Sequence, residues 1–329
     1  MIKIRDISDE VTRVNVVIVP NKIPDVDTNW DNIQYLSFSD GLPMDFALKS
    51  YLESFEPEKG GITLGYASLD KVIRGLRQGE LLTIMASTSV GKTWLALNIL
   101  RYISTKHKFN IGYFSLDDPM ETIVERMLQL TLAKSRDEIT KLRLKKEYDE
   151  LTKITKELSG VKLFSGVNHI PAIENTVERN KLQVIFIDYL SLINVKSSNQ
   201  YERITNAIHG LKEIAVKKKI LVIVLHQLSR KSAGGTIPVT LDMARDSGAV
   251  EEMSSFVIGA HRPELKDERN GEECKKYENI LFVKLLKNKR GPSHMITCHF
   301  NKKTGEITEY EDHVMDKKLK VEAELLEEL

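Results

Sequence analysis

Residues 86–93 have the composition and spacing of a loop that wraps phosphate groups. Small side chains let successive backbone N–H groups converge on phosphate oxygens, and the N-terminus of a following helix adds positive potential. Lys92 would then reach the β- and γ-phosphates of ATP, and the Thr93 hydroxyl would ligate Mg²⁺. The loop has the Walker A form with Ala in place of the usual first Gly, and its residues are Ala86, Ser87, Thr88, Ser89, Val90, Gly91, Lys92 and Thr93.

The elements on either side of this loop are those that a phosphate loop requires. Residues 81–85 form an apolar run that predicts a buried strand, and residues 94–100, which begin at Trp94, predict a core helix. A plain turn before a helix would also fit the eight residues alone. The strand before the loop and the helix after it favour the phosphate loop.

A carboxylate follows another apolar run at a place where a metal ion would need it. Residues 184–187 end in Asp188, which is the Walker B pattern. At the carboxyl edge of a parallel sheet, Asp188 would lie beside the phosphate loop and hold Mg²⁺ through water. The alternative is an Asp that merely terminates a strand, and the presence of a Walker A loop disfavours it.

Two other apolar runs also end in polar residues. Asp117 follows residues 111–116, and a carboxylate at this position could orient and deprotonate an attacking water. His226 and Gln227 follow residues 220–225. The amide of Gln227 could sense the γ-phosphate by hydrogen bonding, whereas we expect His226 to be a core histidine.

The order of apolar runs and amphipathic segments predicts an α/β fold. Apolar runs without polar alternation indicate strands that are buried on both faces of a parallel sheet. The amphipathic segments between them would be crossover helices. The predicted strands lie near 81–85, 111–116, 161–164, 184–187, 220–225, 256–258 and 280–283, and the predicted helices near 119–134, 138–158, 171–180 and 200–218.

Bulk composition restricts the partners of the protein. The 329 residues carry 48 Lys and Arg against 47 Asp and Glu, a net charge of +1, so any nucleic-acid binding must come from local patches. Cys274 and Cys298 lack metal-ligand spacing and fit a reducing compartment. The apolar runs fall short of the ~18 residues of a membrane span, and residues 1–6 do not resemble a signal peptide. We therefore expect a soluble, cytoplasmic protein that has no membrane partner.

The composition divides the chain into three parts. Residues 1–60 are expected to be a small N-terminal appendage and linker, and residues 61–313 the α/β domain. Residues 314–329 are expected to be a charged C-terminal tail whose Lys and Glu side chains are solvated.

A series of short segments occurs in a definite order along the chain. They are residues 75–81 (GLRQGEL), 114–117 (FSLD), 126–127 (RM), 188–193 (DYLSLI), 211–215 (LKEIA), 226–230 (HQLSR), 244–251 (ARDSGAVE) and 287–292 (KNKRGP). Together, these segments resemble those of the DnaB-type replicative helicases, over about residues 62–310. The resemblance implies a RecA-like motor domain, with a parallel sheet that is mixed at its edge and flanked by helices.

The resemblance implies roles for the residues of the nucleotide site. Lys92, Thr93 and Asp188 would hold ATP and Mg²⁺, Asp117 would be the catalytic carboxylate, and Gln227 would be the sensor. The other residues expected to contact the nucleotide are Trp94 and Arg126.

The resemblance also implies a surface that binds single-stranded DNA. Arg245, Asp246 and Gly248 stand where the family grips the backbone of the strand. Lys231 begins residues 231–235, which we expect to be a second mobile loop facing the DNA, and Arg230 directly precedes this loop and is expected to bind DNA as well. An ordinary surface loop is the alternative for this second segment.

Basic residues near 287–292 stand where a neighbouring subunit's finger reaches into the ATP site in this family. Lys287 and Lys289 occupy the two family positions, but Lys289 replaces the finger arginine, and Arg290 follows one place later. Lysine cannot make the bidentate contact that arginine makes with phosphate. Either Arg290 has taken the role of the finger arginine, or the contact made by the finger is weaker.

Asp117 also departs from the family pattern, because the family has the longer Glu at that position.

These inferences favour an ATP-dependent replicative DNA helicase that assembles as a hexameric ring and hydrolyses ATP at subunit interfaces. The family's N-terminal helical domain is not recognisable in residues 1–60, which suggests a phage or mobile-element type and leaves docking of a primase or helicase loader open. One alternative is a RecA/RadA-type or clock-type ATPase. Another is a helicase-like ring that binds DNA but hydrolyses ATP weakly.

Overall fold

A nine-stranded sheet forms the centre of the described residues. The computed structural model describes residues 61–228, 235–244, 248–265 and 277–310, together with Met44. In chain order the strands are β1 (Leu81–Ala86), β2 (Ile111–Ser115), β3 (Val161–Ser165), β4 (Val184–Asp188), β5 (Leu221–Gln227), β6 (Phe256–His261), β7 (Ile280–Asn288), β8 (His294–Phe300) and β9 (Ile307–Glu309). Across the sheet their order is β3-β2-β4-β5-β1-β6-β7-β8-β9.

The strands from β3 to β6 in this order are all parallel, and β7, β8 and β9 continue the sheet in antiparallel pairs. The parallel register brings several strand ends to one edge. Ala86 lies opposite Gln227, and Ser115 lies opposite Asp188. The prediction of a parallel α/β sheet that is mixed at one edge is therefore confirmed.

Helices pack on both faces of this sheet. They are α1 (Ala67–Ile73), α2 (Lys92–His107), α3 (Met120–Leu132), α4 (Arg136–Leu144), α5 (Tyr148–Leu151), α6 (Lys153–Glu157), α7 (Ile170–Asn180), α8 (Gln200–Lys218) and α9 (Gly248–Met253), with 3₁₀ turns at Leu190–Leu192 and Leu241–Ala244. Leu82 and Ile84 of β1 share one apolar core with α2, whereas Leu81 and Met85 share a second with α8. Because successive strand side chains point to opposite faces, β1 is buried on both.

Two predicted elements differ from the structure. β3 is an edge strand whose side chains are half-buried or exposed, because it has one neighbour, β2, instead of two. The helix predicted over residues 138–158 is three short helices, α4, α5 and α6. Lys146 has a left-handed backbone with φ 58°, which a continuous right-handed helix excludes.

The antiparallel edge of the sheet was predicted only in part. β7 runs to Asn288, past the predicted end at residue 283, and β8 and β9 were not predicted. In the second half of β7 only Leu285 is buried and the other side chains are half-buried, so this half lacks the continuous buried apolar run that marked the parallel strands.

The compact unit that contains the sheet begins at Gly61. Residues 1–43, 45–60 and 311–329 lie outside the described residues, as does Cys274, so the three-part division stays a prediction. Cys298 in β8 is fully buried, as expected of a structural cysteine. None of the helices in the described ranges has the length and apolar character needed to cross a bilayer.

Candidate nucleotide-binding site

The predicted phosphate loop connects the end of β1 to the start of α2. β1 ends at Ala86, and the first residue of α2 is Lys92. Gly91 turns the chain between them with φ 112°, a left-handed conformation that side chains rarely adopt. A β-carbon at Gly91 would also lie 3.2 Å from the ring of Phe300. The loop is therefore held in a tight turn at the N-terminus of a 16-residue helix, which is the geometry that binds phosphate.

The chain after β5 returns to this loop at Gly235. Val90 of the loop is fully buried, and a β-carbon added to Gly235 would collide with its side chain. Gly235 has φ 91°, and its carbonyl accepts a hydrogen bond from the backbone N–H of Arg262 at 2.8 Å. The outer side of the phosphate loop is thus packed directly against backbone.

Lys92 directs its ammonium group into the site. Its side chain is only 9% exposed, and Nζ lies 4.8 Å from the ring centroid of Tyr189. Burial lowers the pKa of Lys92, and the nearby charges of Asp188 and Asp117 oppose this shift. The ammonium group therefore lies within electrostatic range of both predicted carboxylates, and its positive charge would stabilise a bound phosphate.

Thr93 and Asp188 meet as a metal-binding pair should. The Thr93 hydroxyl donates to Asp188 Oδ2 at 2.8 Å, and Asp188 is 4% exposed at the end of β4. Mg²⁺ is usually bound by one or two protein oxygens and completes its shell with substrate phosphates and water. The hydroxyl and the carboxylate supply these oxygens, so the pair fits Mg²⁺.

Tyr113 is a member of the site that sequence reasoning missed. It is fully buried in β2, and its hydroxyl donates to Asp188 Oδ2 at 2.7 Å. Burial, followed by the neighbouring charge of Asp188, raises the pKa of Tyr113 well above its ordinary value, so the phenol keeps its proton. The sequence did contain a signal for this contact: a tyrosine lies within a strand predicted to be buried on both faces, and a buried phenol hydroxyl needs a hydrogen-bond partner.

The two acidic residues after β2 have different surroundings. Asp118 Oδ2 accepts from Arg126 Nη1 at 2.5 Å, so that carboxylate is paired. Asp117 is exposed, and partial burial, Asp118 and Asp188 raise its pKa while Lys92 lowers it. Of the two carboxylates, Asp117 is the one that the structure leaves open to solvent beside Lys92.

A cleft of about 380 Å³ is lined by Trp94, the residue that follows the phosphate loop, and by residues of α3 and α4. Trp94 and Arg126, the two other predicted nucleotide contacts, both line it, and the guanidinium of Arg126 lies 5.9 Å from the Trp94 ring. Arg136, Lys302 and Lys303 also line the cleft. Glu125 and Asp137 line the same cleft, and Arg126, Arg136 and Lys302 are paired with Asp118, Glu125 and Glu264. The structure therefore brings the two predicted contacts together in one cleft of mixed charge.

Gln227 reaches the phosphate loop from the end of β5. Its Nε2 donates to Thr88 Oγ1 at 3.0 Å. His226, one residue earlier, is 2% exposed, as expected of a core histidine. The amide predicted to be the sensor is therefore in direct contact with the loop that would hold the phosphates.

Arg290 does not extend from the subunit, contrary to the suggestion that it could replace the finger arginine. Its guanidinium donates to the carboxylate of Glu80 and to the carbonyl of Gly75, and it lies 5.1 Å from the ring centroid of Phe256. These contacts hold the Arg290 side chain within its own subunit, where it is 17% exposed.

Lys287 and Lys289 lie at the end of the sheet opposite the phosphate loop. Asn288 of β7 pairs with Phe256 of β6, which pairs in turn with Leu82 near the start of β1. Four strand residues separate this level from the end of β1, or about 13 Å. Lys287 is within β7, not after it, and donates to the carbonyl of Glu251 at 2.5 Å, whereas Lys289 is exposed.

The predicted DNA contacts fall almost entirely outside the described residues. Arg245, Asp246, Arg230 and Lys231 are not among the residues that the structure describes. Gly248 is the first residue of α9, and a β-carbon there would meet no atom within 4 Å. These five assignments stay predictions.

Comparison with known proteins places the fold and the motifs in one family. Residues 61–309 match the family model described as DnaB-like helicase C terminal domain. A probable replicative DNA helicase of Trieres chinensis is 29% identical over 277 residues, which are 80% of this chain and 60% of the relative. The Replicative DNA helicase DnaB of Geobacillus stearothermophilus is 28% identical over 302 residues, 86% of this chain and 60% of the relative. The chain thus spans about 60% of the length of these two curated relatives.

A solved structure shares the fold. It is that of a DnaB-like replicative helicase, studied with its interactions with primase, and it matches with a TM-score of 0.71 at 22% identity. The match covers 80% of this chain and 67% of that one. At this identity the likeness shows the fold alone, and it confirms the expected RecA-like sheet flanked by helices.

Proposed function

Because the chain belongs to the family of DnaB-like helicase C-terminal domains, we propose that it is an ATP-dependent replicative DNA helicase that moves along single-stranded DNA. Membership of this family disfavours the RecA/RadA-type and clock-type alternatives. The observation that carries the proposal is the meeting of Lys92, Thr93, Asp188 and Gln227 around one loop. Two side chains from α2, one from the end of β4 and one from the end of β5 supply the four groups.

Each of these groups has a task in hydrolysis. MgATP, when bound, would supply the γ-phosphoryl group whose transfer to water releases energy. Lys92 would offset the negative charge that grows on the phosphate oxygens. Asp117 would accept a proton from the attacking water, and Gln227 would report through Thr88 whether the γ-phosphate is present. Thr93 and Asp188 would hold the metal ion.

Steady-state ATPase measurements with and without single-stranded DNA test the proposal. We expect DNA to stimulate turnover, and we expect unwinding of a forked duplex to require ATP. Negligible turnover in both conditions, with ATP and DNA still bound, would instead support the weakly hydrolysing ring.

We further propose that the protein acts as a hexameric ring. Lys289 is exposed at the end of the sheet away from its own phosphate loop, so it can act on ATP only if that ATP is bound by a neighbouring subunit. Sizing in the presence of ATP and Mg²⁺ tests the assembly. Docking of a primase or helicase loader and a cytoplasmic location are parts of the same proposal, as is the division of the chain into residues 1–60, 61–313 and 314–329.

Asp117 offers a prediction about the catalytic carboxylate. Replacement of Asp117 by Asn should lower turnover by about 10²–10⁴-fold, because the proton acceptor is lost. Asp117→Glu should preserve or raise turnover, since the longer arm matches the family. Asp118→Asn, which removes the partner of Arg126, is the matched control in a DNA-stimulated ATPase assay. Full turnover of Asp117→Asn together with a loss of turnover in Asp118→Asn would show that Asp118 is the general base.

Arg245 offers a prediction about DNA binding. If it contacts phosphate, Arg245→Ala should weaken binding to all single-stranded sequences alike. The slope of log affinity against log salt should become shallower by about 0.7, the value for one phosphate contact on a single strand. Fluorescence anisotropy at several salt concentrations measures both effects. Arg143→Ala, at an exposed arginine of α4, should change neither, and a marked sequence preference in the wild type would contradict the model.

A further inference from the structure

Two hydroxyl groups converge on a single oxygen of the Walker B carboxylate. Asp188 Oδ2 accepts from Thr93 Oγ1 at 2.8 Å and from the Tyr113 hydroxyl at 2.7 Å. Thr93 comes from the first turn of α2, whereas Tyr113 comes from β2, the strand hydrogen-bonded to β4. The carboxylate is therefore held from two directions, by a residue that would contact the metal and by one that lies behind it.

The Tyr113 side chain has little freedom to move. It is fully buried, and its ring stacks on that of Phe186 in β4, with centroids 6.1 Å apart and an interplanar angle of 24°. Asp188 is itself only 4% exposed. A hydroxyl fixed in this way defines the direction from which Oδ2 must accept its hydrogen bond.

A hydrogen bond that orients the Asp188 carboxylate affects metal binding, because rotation about the Cβ–Cγ bond of an aspartate is otherwise weakly restricted. With Oδ2 held by Tyr113 and Thr93, the plane of the Asp188 carboxylate is set, and its remaining acceptor positions would be available to Mg²⁺ or to a water bound to it. Outer hydrogen-bond partners of this kind orient metal-binding groups, and their loss typically weakens metal binding 10–100-fold.

We propose that Tyr113 is a positioning residue of the Mg²⁺ site, which acts through Asp188 without touching the metal. The inference rests on the proposed function, because it takes Asp188 to be the metal-binding carboxylate. It adds a residue that lies outside both Walker motifs and is contributed by the strand that leads to the catalytic Asp117.

The test compares two buried tyrosines. Tyr113→Phe removes the hydroxyl that reaches Asp188 and keeps the ring. Tyr66→Phe is the matched control, because Tyr66 is 3% exposed and its hydroxyl has no hydrogen-bond partner among the described residues. Binding of Mn²⁺ to the protein saturated with ADP is followed by electron paramagnetic resonance, and binding of a fluorescent ADP is measured separately with EDTA.

We expect Tyr113→Phe to bind Mn²⁺ about tenfold more weakly than the wild type. Tyr66→Phe should match the wild type, and metal-free ADP affinity should be unchanged in both variants. The effect of Tyr113→Phe should also vanish in an Asp188→Asn background, because the hydroxyl acts through that carboxylate. This cycle separates positioning from a general loss of stability, which would persist in the Asn background.

The outcomes distinguish this inference from the proposed function. Equal Mn²⁺ affinity in the wild type and Tyr113→Phe, or an equal loss in both backgrounds, would overturn the role of Tyr113 alone. Failure of the wild type to bind ADP at all would overturn the proposed function.

Discussion

Replacement of Lys92 by Ala is expected to lower ATPase turnover by about 10²–10³-fold, the usual effect of removing one group that stabilises transition-state charge. The ammonium group of Lys92 is nearly buried and faces Asp117 and Asp188, where a phosphate would lie. Without it, the charge that develops on the phosphate oxygens would meet two carboxylates and lack the neighbouring cation. Unwinding, which depends on turnover, should be lost with it.

Lys92→Ala should still fold, because burial disfavours the charged form of Lys92 and its removal relieves that penalty. Thermal unfolding measured beside the ATPase assay checks this. Lys106→Ala replaces an exposed lysine in the last turn of the same helix and should leave turnover unchanged. Normal turnover in Lys92→Ala would end the proposal that this loop hydrolyses ATP.

Replacement of Lys289 by Ala is expected to leave nucleotide binding intact while turnover falls by about 10³-fold. This is the lower end of the range for finger arginines, chosen because lysine makes a single contact with phosphate. The exposed ammonium group lies at the end of the sheet opposite its own phosphate loop, so under the proposed ring it would act on ATP bound by another subunit. Nucleotide affinity and turnover, measured on the same preparation, separate the two effects.

Mixing subunits tests whether Lys289 acts on a neighbour. Lys289→Ala subunits have an intact phosphate loop, and Lys92→Ala subunits have an intact finger. With random mixing in equal amounts, about a quarter of the interfaces would combine both, so activity should reappear. Mixtures as inactive as their components would argue against action between subunits.

Arg290→Ala is the structural contrast to Lys289→Ala. It would leave the partly buried carboxylate of Glu80 without its guanidinium partner. We therefore expect a loss of about 1–3 kcal/mol in the free energy of unfolding, measured by denaturant titration. Turnover of the folded protein should be close to that of the wild type. A large loss of turnover at unchanged stability would return the finger role to Arg290.

Local signals made the core of the site predictable. The phosphate loop depends on contiguous residues and on the strand and helix beside it, so its position could be read directly from the chain. Asp188 and Gln227 could be predicted to lie beside the phosphate loop because the carboxyl ends of parallel strands meet at one edge of a sheet. These predictions needed a fold class, but they did not need the strand order.

The remaining features depend on neighbours that the sequence does not reveal. Tyr113 reaches Asp188 only because β2 pairs with β4 in the sheet, although β3 lies between these two strands along the chain. Arg290 is held by Glu80, 210 residues away along the chain. β9 has only three residues, and the seven residues of β8 include polar His and Thr side chains, so neither strand shows an uninterrupted apolar run of the kind that identified the central strands.

The contacts that Gln227 and Gly235 make with the phosphate loop have a thermodynamic consequence. Gln227 is bonded to Thr88, Gly235 packs on Val90, and the residues predicted to face DNA, Arg230 and Lys231, lie between these two anchors in the chain. A change in the loop on nucleotide binding would act on both ends of that segment through these two contacts. If this changes the affinity for DNA by some factor, DNA must change the affinity for nucleotide by the same factor. One coupling free energy would then describe both the effect of ATP on the affinity for single-stranded DNA and the effect of the DNA on the affinity for ATP.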